Sequence, residues 1–197
     1  MVPVTAGSEQ LTRAMQHLEA AFLIGVEGVT EIWLVRHADC YFEMADTTDP
    51  PLSRLGRDQA ARLAGRLKNS KVAAVYSSPY RRAVETAKAI GDDVHLEDRL
   101  VELALDVNDD GSLDFREPPL HAVRRMTAVV DELIVRHPGE RIVAVSHGAA
   151  IMSYLTEVLH LEPGQLRMYP YFTSISVVRG LGDRRMVGAL GDVAHLE

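Results

Sequence analysis

Short apolar runs rich in β-branched residues alternate with longer segments of helical periodicity along most of this chain. Such runs are typical of strands buried on both faces, and strands that alternate with helices predict a parallel sheet covered by helices. The predicted strands are Ile32–Val35, Val72–Tyr76, Ile142–Val145 and a last one at Ile175–Val178, and the predicted helices are Leu55–Leu67, Arg81–Ile90 and His121–Arg136. The pattern therefore predicts an α/β fold with a mostly parallel sheet.

The segment before the first strand is predicted to form an additional helix over residues 8–24. Ser8 is a suitable N-cap, and Gly25 is a suitable terminating residue. Apolar residues recur there at helical spacing, namely Leu11, Met15, Leu18 and Phe22. We expect this face to pack on the protein's own domain, with a dimer contact as the alternative. Residues 1–30 are thus interpreted as a helical extension of a main domain at 31–197.

Composition narrows the classes of protein to which the chain can belong. Its 197 residues carry 21 Lys and Arg against 28 Asp and Glu, a net charge of −7, which weighs against nucleic acid as a partner. The longest apolar run, Ala20 to Val26, is too short to span a membrane. Cys40 is the single cysteine, so an internal disulfide is excluded. We expect a cytoplasmic protein without a membrane partner, and its oligomeric state is open.

Basic side chains follow three of the predicted strands directly. Arg36 and His37 come after the first strand, Arg82 lies shortly after the second, and His147 lies just beyond the third. Ligands of open α/β sheets bind beyond the carboxyl ends of the strands, so these four residues are expected at one site. A cluster of cations in an acidic protein favours an oxyanion as ligand, and phosphate fits best.

Five sequence blocks occur in a characteristic order, at Ile32–His37, Asp49–Ala60, Ser77–Ala87, Arg99–Leu103 and Pro138–Gly148. They resemble the motifs LVRHG, D-x-PL-[ST]-x-x-G-x-x-QA, SSP-x-x-RA-x-x-TA, RL-x-E and HPGE…VSHG of the histidine phosphatase superfamily, which includes the cofactor-dependent phosphoglycerate mutases. The resemblance extends over most of the chain. It implies a three-layer α/β/α sandwich and an enzyme that transfers phosphoryl groups.

The resemblance also implies a role for each matching residue. His37 would be the nucleophile that attacks phosphorus and forms a phosphohistidine. Glu102 would donate a proton to the leaving oxygen and later accept one from water. The phosphoryl oxygens would be held by Arg36, Arg82, His147 and Gly148. No metal cofactor is required for this chemistry, and the expected partner is a small phosphorylated substrate.

The sequence departs from the family pattern where true mutases hold phosphoglycerate. Cys40–Thr48 lacks the Asn, Ser and Thr-Gly positions of that pattern, and Ala38 and Asp39 replace the commoner Gly and Glu. We therefore predict a phosphatase that hydrolyses phosphomonoesters, with phosphoglycerate mutase as the alternative. The identity of the substrate is left open.

An acidic segment at Asp106–Glu117 matches the calcium-loop pattern D-x-[DN]-x-[DN]-G-x5-E. The liganding positions of that pattern are Asp106, Asn108, Asp110 and Glu117. Pro118 and Pro119 follow directly and disfavour the exiting helix of an EF-hand. Three interpretations stay open for the long loop at Leu103–Leu120: a calcium site, a turn-rich connection, or a lid over the substrate.

Three other function classes compete with this interpretation. Ala144–Gly148 is a variant of the G-x-S-x-G elbow, and Ser146 with Asp183 or Asp192 and then His195 follows the residue order of a serine hydrolase. That alternative leaves Arg36 and His37 without a role. A cysteine phosphatase would need an Arg six residues after Cys40, where Asp46 stands. A binding module without catalysis would not need the proton donor Glu102.

Overall fold

The computed structural model describes residues 6–41, 49–108, 110–162 and 164–197. The helices in these ranges are α1 (Ala6–Ala21), α2 (Arg54–Leu67), α3 (Arg81–Ile90), α4 (Pro119–Arg136) and α5 (Gly148–Val158). The strands are β1 (Thr30–Arg36), β2 (Val72–Ser77), β3 (Val94–Leu96), β4 (Leu105–Val107), β5 (Leu113–Phe115), β6 (Arg141–Ser146), β7 (Ile175–Leu181) and β8 (Arg184–Asp192).

A six-stranded sheet in the order β3-β2-β6-β1-β7-β8 forms the centre of the fold. The first four strands of this order are parallel, and β7 and β8 continue the sheet in antiparallel pairing. The predicted α/β class with a mostly parallel sheet is therefore confirmed. The strand predicted at Ile175–Val178 is the first part of β7, whereas β3 and β8 were not predicted.

Helices cover both faces of the sheet and make the fold a three-layer sandwich. Alternate residues of β6 show this division, because Ile142 and Ala144 pack with α4 and α5 whereas Val143 and Val145 pack with α2 and α3. Fully buried side chains such as Met126 of α4 fill the first of these layers. The β-branched strands predicted to be buried on both faces thus occupy the positions that the sequence indicates.

The N-terminal helix differs from its prediction in bounds and in packing. It spans Ala6–Ala21 rather than 8–24, so Ser8 lies inside the helix and is not its N-cap. The predicted apolar face consists of Leu11, Met15, Leu18 and Phe22, the last of which follows the end of the helix, and these residues are between 48% and 66% exposed. The expectation that this face packs on the domain is therefore wrong for the described residues. Arg184 fixes the end of the helix by donating to the carbonyls of Ala20 and Ala21.

The long loop predicted at Leu103–Leu120 contains a hairpin and the first turn of a helix. β4 and β5 pair antiparallel, with Asp106 opposite Asp114, and α4 begins at Pro119. Pro at the first position of a helix is favourable because the missing N–H has no partner in the first turn. Asp109 of this loop lies outside the described residues, as does 42–48, the greater part of the segment that lacks the mutase positions.

Within the described ranges, no helix has both the length and the apolar character that crossing a membrane requires.

Candidate active site

The loop after β1 is held in place by motif residues of α2 and α3. Thr86 Oγ1 accepts the Ala38 N–H at 2.9 Å, and Gln59 Oε1 accepts the Asp39 N–H at 2.9 Å. A β-carbon on Gly56 would lie 1.9 Å from the Asp39 carbonyl oxygen, so only glycine allows this approach. These contacts fix the backbone that follows His37.

His37 lies at the end of β1, only 3% exposed. Its Nδ1 is 2.8 Å from the Ala38 carbonyl oxygen, which can only accept, so Nδ1 carries the ring proton. Nε2 therefore carries a lone pair, and this lone pair accepts a hydrogen bond from the Arg82 Nε–H at 3.3 Å. Burial, with a smaller effect from the charges of Arg82 and Arg36, lowers the pKa of His37 to about 3. The imidazole is therefore neutral near pH 7, and its Nε2 carries no proton.

His147 faces His37 from the end of β6, with the two ring centres 5.0 Å apart. It is fully buried, and its Nε2 lies 2.8 Å from the Ser78 hydroxyl. Its Nδ1 has no hydrogen-bond partner among the described residues. Burial, followed by the charge of neighbouring basic groups, holds the pKa of His147 well below its usual value. The site therefore contains a buried polar atom that is available to a ligand.

Arg82 reaches the same place from the first turn of α3. It is 8% exposed, and its guanidinium lies 4.8 Å from the centre of the Tyr80 ring. Asp49 is its ion-pair partner at 3.6 Å. Asp49 also accepts the Arg81 backbone N–H at 2.8 Å, so this carboxylate ties the start of α3 to the arginine that contacts His37.

Arg36 is held between two aromatic rings. Its guanidinium carbon lies 4.0 Å from the centre of the Phe172 ring and 4.8 Å from that of Tyr169, and Nη1 donates to the Pro170 carbonyl at 2.7 Å. Cation–π contacts of this kind hold a guanidinium in place. They remove little hydration energy, because a guanidinium is weakly hydrated. The Nε of Arg36 is buried and has no partner among the described residues. The clamp thus leaves one donor of Arg36 available.

Glu102 lies at the N-terminus of α5, the helix that begins one residue after His147. Its Oε1 accepts the N–H groups of Leu103 and Ala150, each at 2.9 Å, and its Oε2 accepts that of Ala149 at 3.4 Å. Oε2 thus makes the single, longer contact. The carboxylate is thus fixed by backbone groups beside the basic cluster.

Gly148, at the first position of α5, contacts the ring of Tyr169. A β-carbon on Gly148 would lie 2.6 Å from both Cζ and Oη of that ring, so a larger residue would displace it. Tyr169 therefore lies between Arg36 and the start of α5. The structure brings the predicted residues His37, Arg82, His147 and Arg36 to one edge of the sheet, with Glu102 and Gly148 at the adjoining helix terminus.

A family model for the histidine phosphatase superfamily, branch 1, matches this chain in two overlapping segments, residues 32–114 and 105–192. The chain belongs to this superfamily. The match covers every strand of the central sheet and all the basic residues of the site, and it confirms the resemblance that the five sequence blocks indicate.

Curated members of the superfamily resemble the chain over most of its length. Phosphoglycerate mutase-like protein 4 of Arabidopsis thaliana is 29% identical, over 85% of this chain and 87% of that protein. A probable phosphoglycerate mutase of Proteus mirabilis is 28% identical, over 84% of this chain and 94% of that protein.

Solved structures share the fold. A phosphoserine phosphatase of Entamoeba histolytica, solved with 3-phosphoglyceric acid, superposes with a TM-score of 0.74 at 24% identity, covering 85% of this chain and 100% of that one. A mycobacterial glucosyl-3-phosphoglycerate phosphatase gives a TM-score of 0.68 at 21% identity, covering 81% and 98%. At these identities the likeness shows the three-layer fold alone.

The aromatic clamp on Arg36 is the part of this superfamily site that the strand-end pattern does not predict. Tyr169, Tyr171 and Phe172 directly precede β7. Because β7 runs antiparallel to β1, its start lies at the edge where the parallel strands end. Three aromatic residues within four positions before an antiparallel strand are the signal that points to this edge.

The segment predicted as a calcium loop has other contacts in the structure. Asp106 pairs with Arg116 at 2.6 Å, and Glu117 pairs with Arg125 at 2.9 Å. The Asn108 amide donates to the Ser112 hydroxyl at 3.0 Å, and Asp110 accepts the Ser112 backbone N–H at 2.9 Å. In the part of the chain that is described, no three His, Cys, Asp or Glu side chains form a metal-binding group. Calcium binding stays one of the open interpretations of this segment.

Ser146 and His195 of the serine-hydrolase alternative each have another partner in the structure. Ser146 Oγ donates to the Leu100 carbonyl at 2.8 Å, whereas His195 Nε2 lies 3.0 Å from the Thr173 hydroxyl. Asp192 pairs with Arg66.

Cys40 does not have the properties of a nucleophilic thiol. Burial raises the pKa of Cys40 to about 11. Its thiol is therefore protonated near pH 7, and a protonated thiol is a poor nucleophile.

Proposed function

We propose that this protein hydrolyses phosphomonoesters through a phosphoryl group carried on Nε2 of His37. The observation that supports this most strongly is the fixed tautomer of a buried, uncharged His37. Its Nδ1 proton is held by the Ala38 carbonyl, and its Nε2 lone pair faces the Nε–H of Arg82. Arg36 and His147 of the same cluster each have a buried nitrogen with no hydrogen-bond partner among the described residues, and we assign these nitrogens to the phosphate oxygens of the substrate.

In the first step, Nε2 of His37 attacks phosphorus as the bond between phosphorus and the alcohol oxygen breaks. The electron pair of that bond goes to the alcohol oxygen, which takes a proton from Oε2 of Glu102. Arg36 and Arg82 bind the phosphoryl oxygens and stabilise their charge during the in-line transfer. Arg82 turns its Nε–H from His37 Nε2 to the incoming oxygen, so phosphate replaces a contact that the free enzyme already has.

In the second step, water attacks the phosphorus of the phosphohistidine. Glu102 takes one proton from the water as the new P–O bond forms, and the P–N bond breaks with its electron pair returning to His37. Phosphate leaves, and Glu102 and His37 regain their initial protonation states. The charges of arginine side chains serve the role that a metal ion has in other phosphoryl-transfer enzymes, so we expect no metal requirement.

Hydrolysis is proposed over mutase activity because Cys40–Thr48 lacks the positions that hold phosphoglycerate in mutases. Phosphoglycerate mutase is the second candidate, since the relative in Arabidopsis thaliana is named phosphoglycerate mutase-like and the one in Proteus mirabilis a probable phosphoglycerate mutase. The two functions differ in the acceptor of the phosphoryl group, which is water in one and a second hydroxyl of the substrate in the other. The proposed partner is a small phosphorylated substrate, and the proposed location is the cytoplasm.

One assay separates the two functions. The protein is given 3-phosphoglycerate with its bisphosphorylated primer, and released phosphate and isomerised product are measured together. The proposal predicts that phosphate release exceeds isomerisation. Isomerisation well above phosphate release would mean that the protein is a mutase and not a phosphatase.

A further inference from the structure

An apolar groove lies between the β4–β5 hairpin, the start of α4 and the outer side of α5. It encloses about 300 Å³, which is at the small end of the range for ligand pockets. Its apolar lining includes Leu103, Phe115, Leu120, Val123, Met152 and Leu161. Phe115 and Leu120 are 49% and 54% exposed, so the groove leaves a substantial apolar surface in water.

One end of this groove adjoins the proton donor of the proposed mechanism. Leu103 follows Glu102 directly, and its backbone N–H donates to the Glu102 carboxylate at 2.9 Å. Ala150 donates to the same carboxylate from the first turn of α5, and Met152 lines the groove from that helix. The wall of the groove therefore begins at the residue that follows the proposed proton donor.

The polarity of the groove selects what can occupy it. Its polar side chains among the described residues are Ser153, Thr156 and Glu157, and the single charged one is acidic. The Thr156 hydroxyl already donates to the Met152 carbonyl at 2.8 Å. A second phosphate or a carboxylate would find no cation on this wall and would face Glu157, whereas an alkyl or aryl group would gain by leaving water.

We infer that this groove binds the alcohol part of the substrate and that this part is apolar. The inference rests on the proposed phosphatase function, because it requires a phosphomonoester bound at His37 with its leaving oxygen at Glu102. It names the substrate class as phosphomonoesters of alkyl or aryl alcohols, in preference to phosphoglycerates and other substrates with a second anionic group.

The test is a series of linear alkyl phosphates from ethyl to octyl, with release of inorganic phosphate as the readout. These alcohols have nearly equal leaving-group ability beyond ethyl, so kcat/KM reports binding of the chain. Each methylene buried in the groove is expected to raise kcat/KM up to about fourfold until a plateau is reached. Hexyl phosphate is expected to be a better substrate than 3-phosphoglycerate. Values of kcat/KM that do not depend on chain length overturn the inference.

Two variants on the same helix separate the groove from general effects. Leu120→Glu places a charge on the groove wall, and Val135→Glu places the same charge at a position of α4 that is 80% exposed and outside the groove. Leu120→Glu is expected to remove the dependence of kcat/KM on chain length, and Val135→Glu is expected to retain it. A dependence that survives in Leu120→Glu overturns the inference.

The outcomes also distinguish this inference from the proposed function. If the phosphatase function fails, no alkyl phosphate of any length releases phosphate. If only the inference about the groove fails, all of them release phosphate at similar kcat/KM.

Discussion

At the scale of single residues, the charge state of His37 has a consequence for stability. Its pKa is lowered to about 3 in the folded protein by burial and by Arg82 and Arg36, whereas an unfolded histidine takes up a proton near pH 6.5. Between these values the unfolded chain binds more protons than the folded one, so the free energy of unfolding falls as pH falls. Above pH 6.5 the histidine is uncharged in both states, so it no longer makes the free energy of unfolding depend on pH. His147 contributes in the same direction.

We predict that each of these histidines lowers the free energy of unfolding by up to about 1.4 kcal/mol per pH unit below pH 6.5. Urea unfolding of the wild type and of His37→Asn between about pH 7 and pH 5 measures this. The variant should show the shallower decline. Equal declines in the two proteins would mean that His37 is not held uncharged. The same pKa predicts that activity does not fall through titration of His37 near pH 6.5.

The aromatic clamp on Arg36 gives a second prediction at this scale. Phe172→Ala removes the closer ring at 4.0 Å, and a partly buried cation–π contact is worth about 1 to 2 kcal/mol. We expect kcat/KM for phosphomonoesters to fall by about 5- to 30-fold, with a parallel rise in the inhibition constant of vanadate.

Tyr171→Ala is the matched control for the clamp. Tyr171 packs edge-on against Phe172 with ring centres 5.9 Å apart, and it is more than half exposed. This variant should change vanadate inhibition little. Equal weakening in both variants, or in neither, would contradict a positioning role for Phe172.

At the scale of the elements, the ion pairs of the β4–β5 hairpin bear on the calcium interpretation of the acidic segment. A calcium ion would have to displace Arg116 from Asp106 and Arg125 from Glu117. We predict that millimolar calcium leaves the melting temperature unchanged and that a chelator leaves turnover unchanged. Thermal unfolding with and without calcium tests the first part. A rise in melting temperature that is lost in the double variant Asp106→Ala with Glu117→Gln would establish the calcium loop instead.

The strands that the sequence predicts are those whose burial comes from both faces of the sheet. β1 and β6 contain continuous apolar runs because helices cover them on both sides, so they can be predicted without knowing which strands they pair with. β8 was not predicted, because its residues Arg184–Asp192 are mostly half-buried and include two glycines. Its place depends on pairing with β7, which local sequence does not encode.

The site follows the same division between local and long-range information. The common location of His37, Arg82 and His147 was predicted from their positions after parallel strands, because the carboxyl ends of such strands lie at one edge of the sheet. Tyr169 and Phe172 were not, because their position depends on the antiparallel direction of β7. The contacts of Glu102 with the first turn of α5 were likewise not readable, since they join residues almost fifty positions apart.

At the scale of the whole molecule, the outlying helix α1 shows what periodicity can and cannot predict. The spacing of Leu11, Met15, Leu18 and Phe22 indicated a helix with one apolar face, and the helix is present. Periodicity identifies a face but not what covers it, and in the structure that face is exposed. The net charge of −7 is likewise a property of the whole chain. It does not show that the fold gathers Arg36 and Arg82 at one edge of the sheet.

The proposed mechanism depends on a phosphoryl group carried by His37, and rapid-quench labelling tests it most directly. With phosphate-labelled substrate, we predict a label on the protein that is stable to alkali and labile to acid, as a phosphoramidate is, and that maps to His37. His37→Ala should lose the label and several orders of magnitude in turnover while keeping its fold. Label on Ser146 or Cys40, or substantial turnover in His37→Ala, would contradict the proposed mechanism.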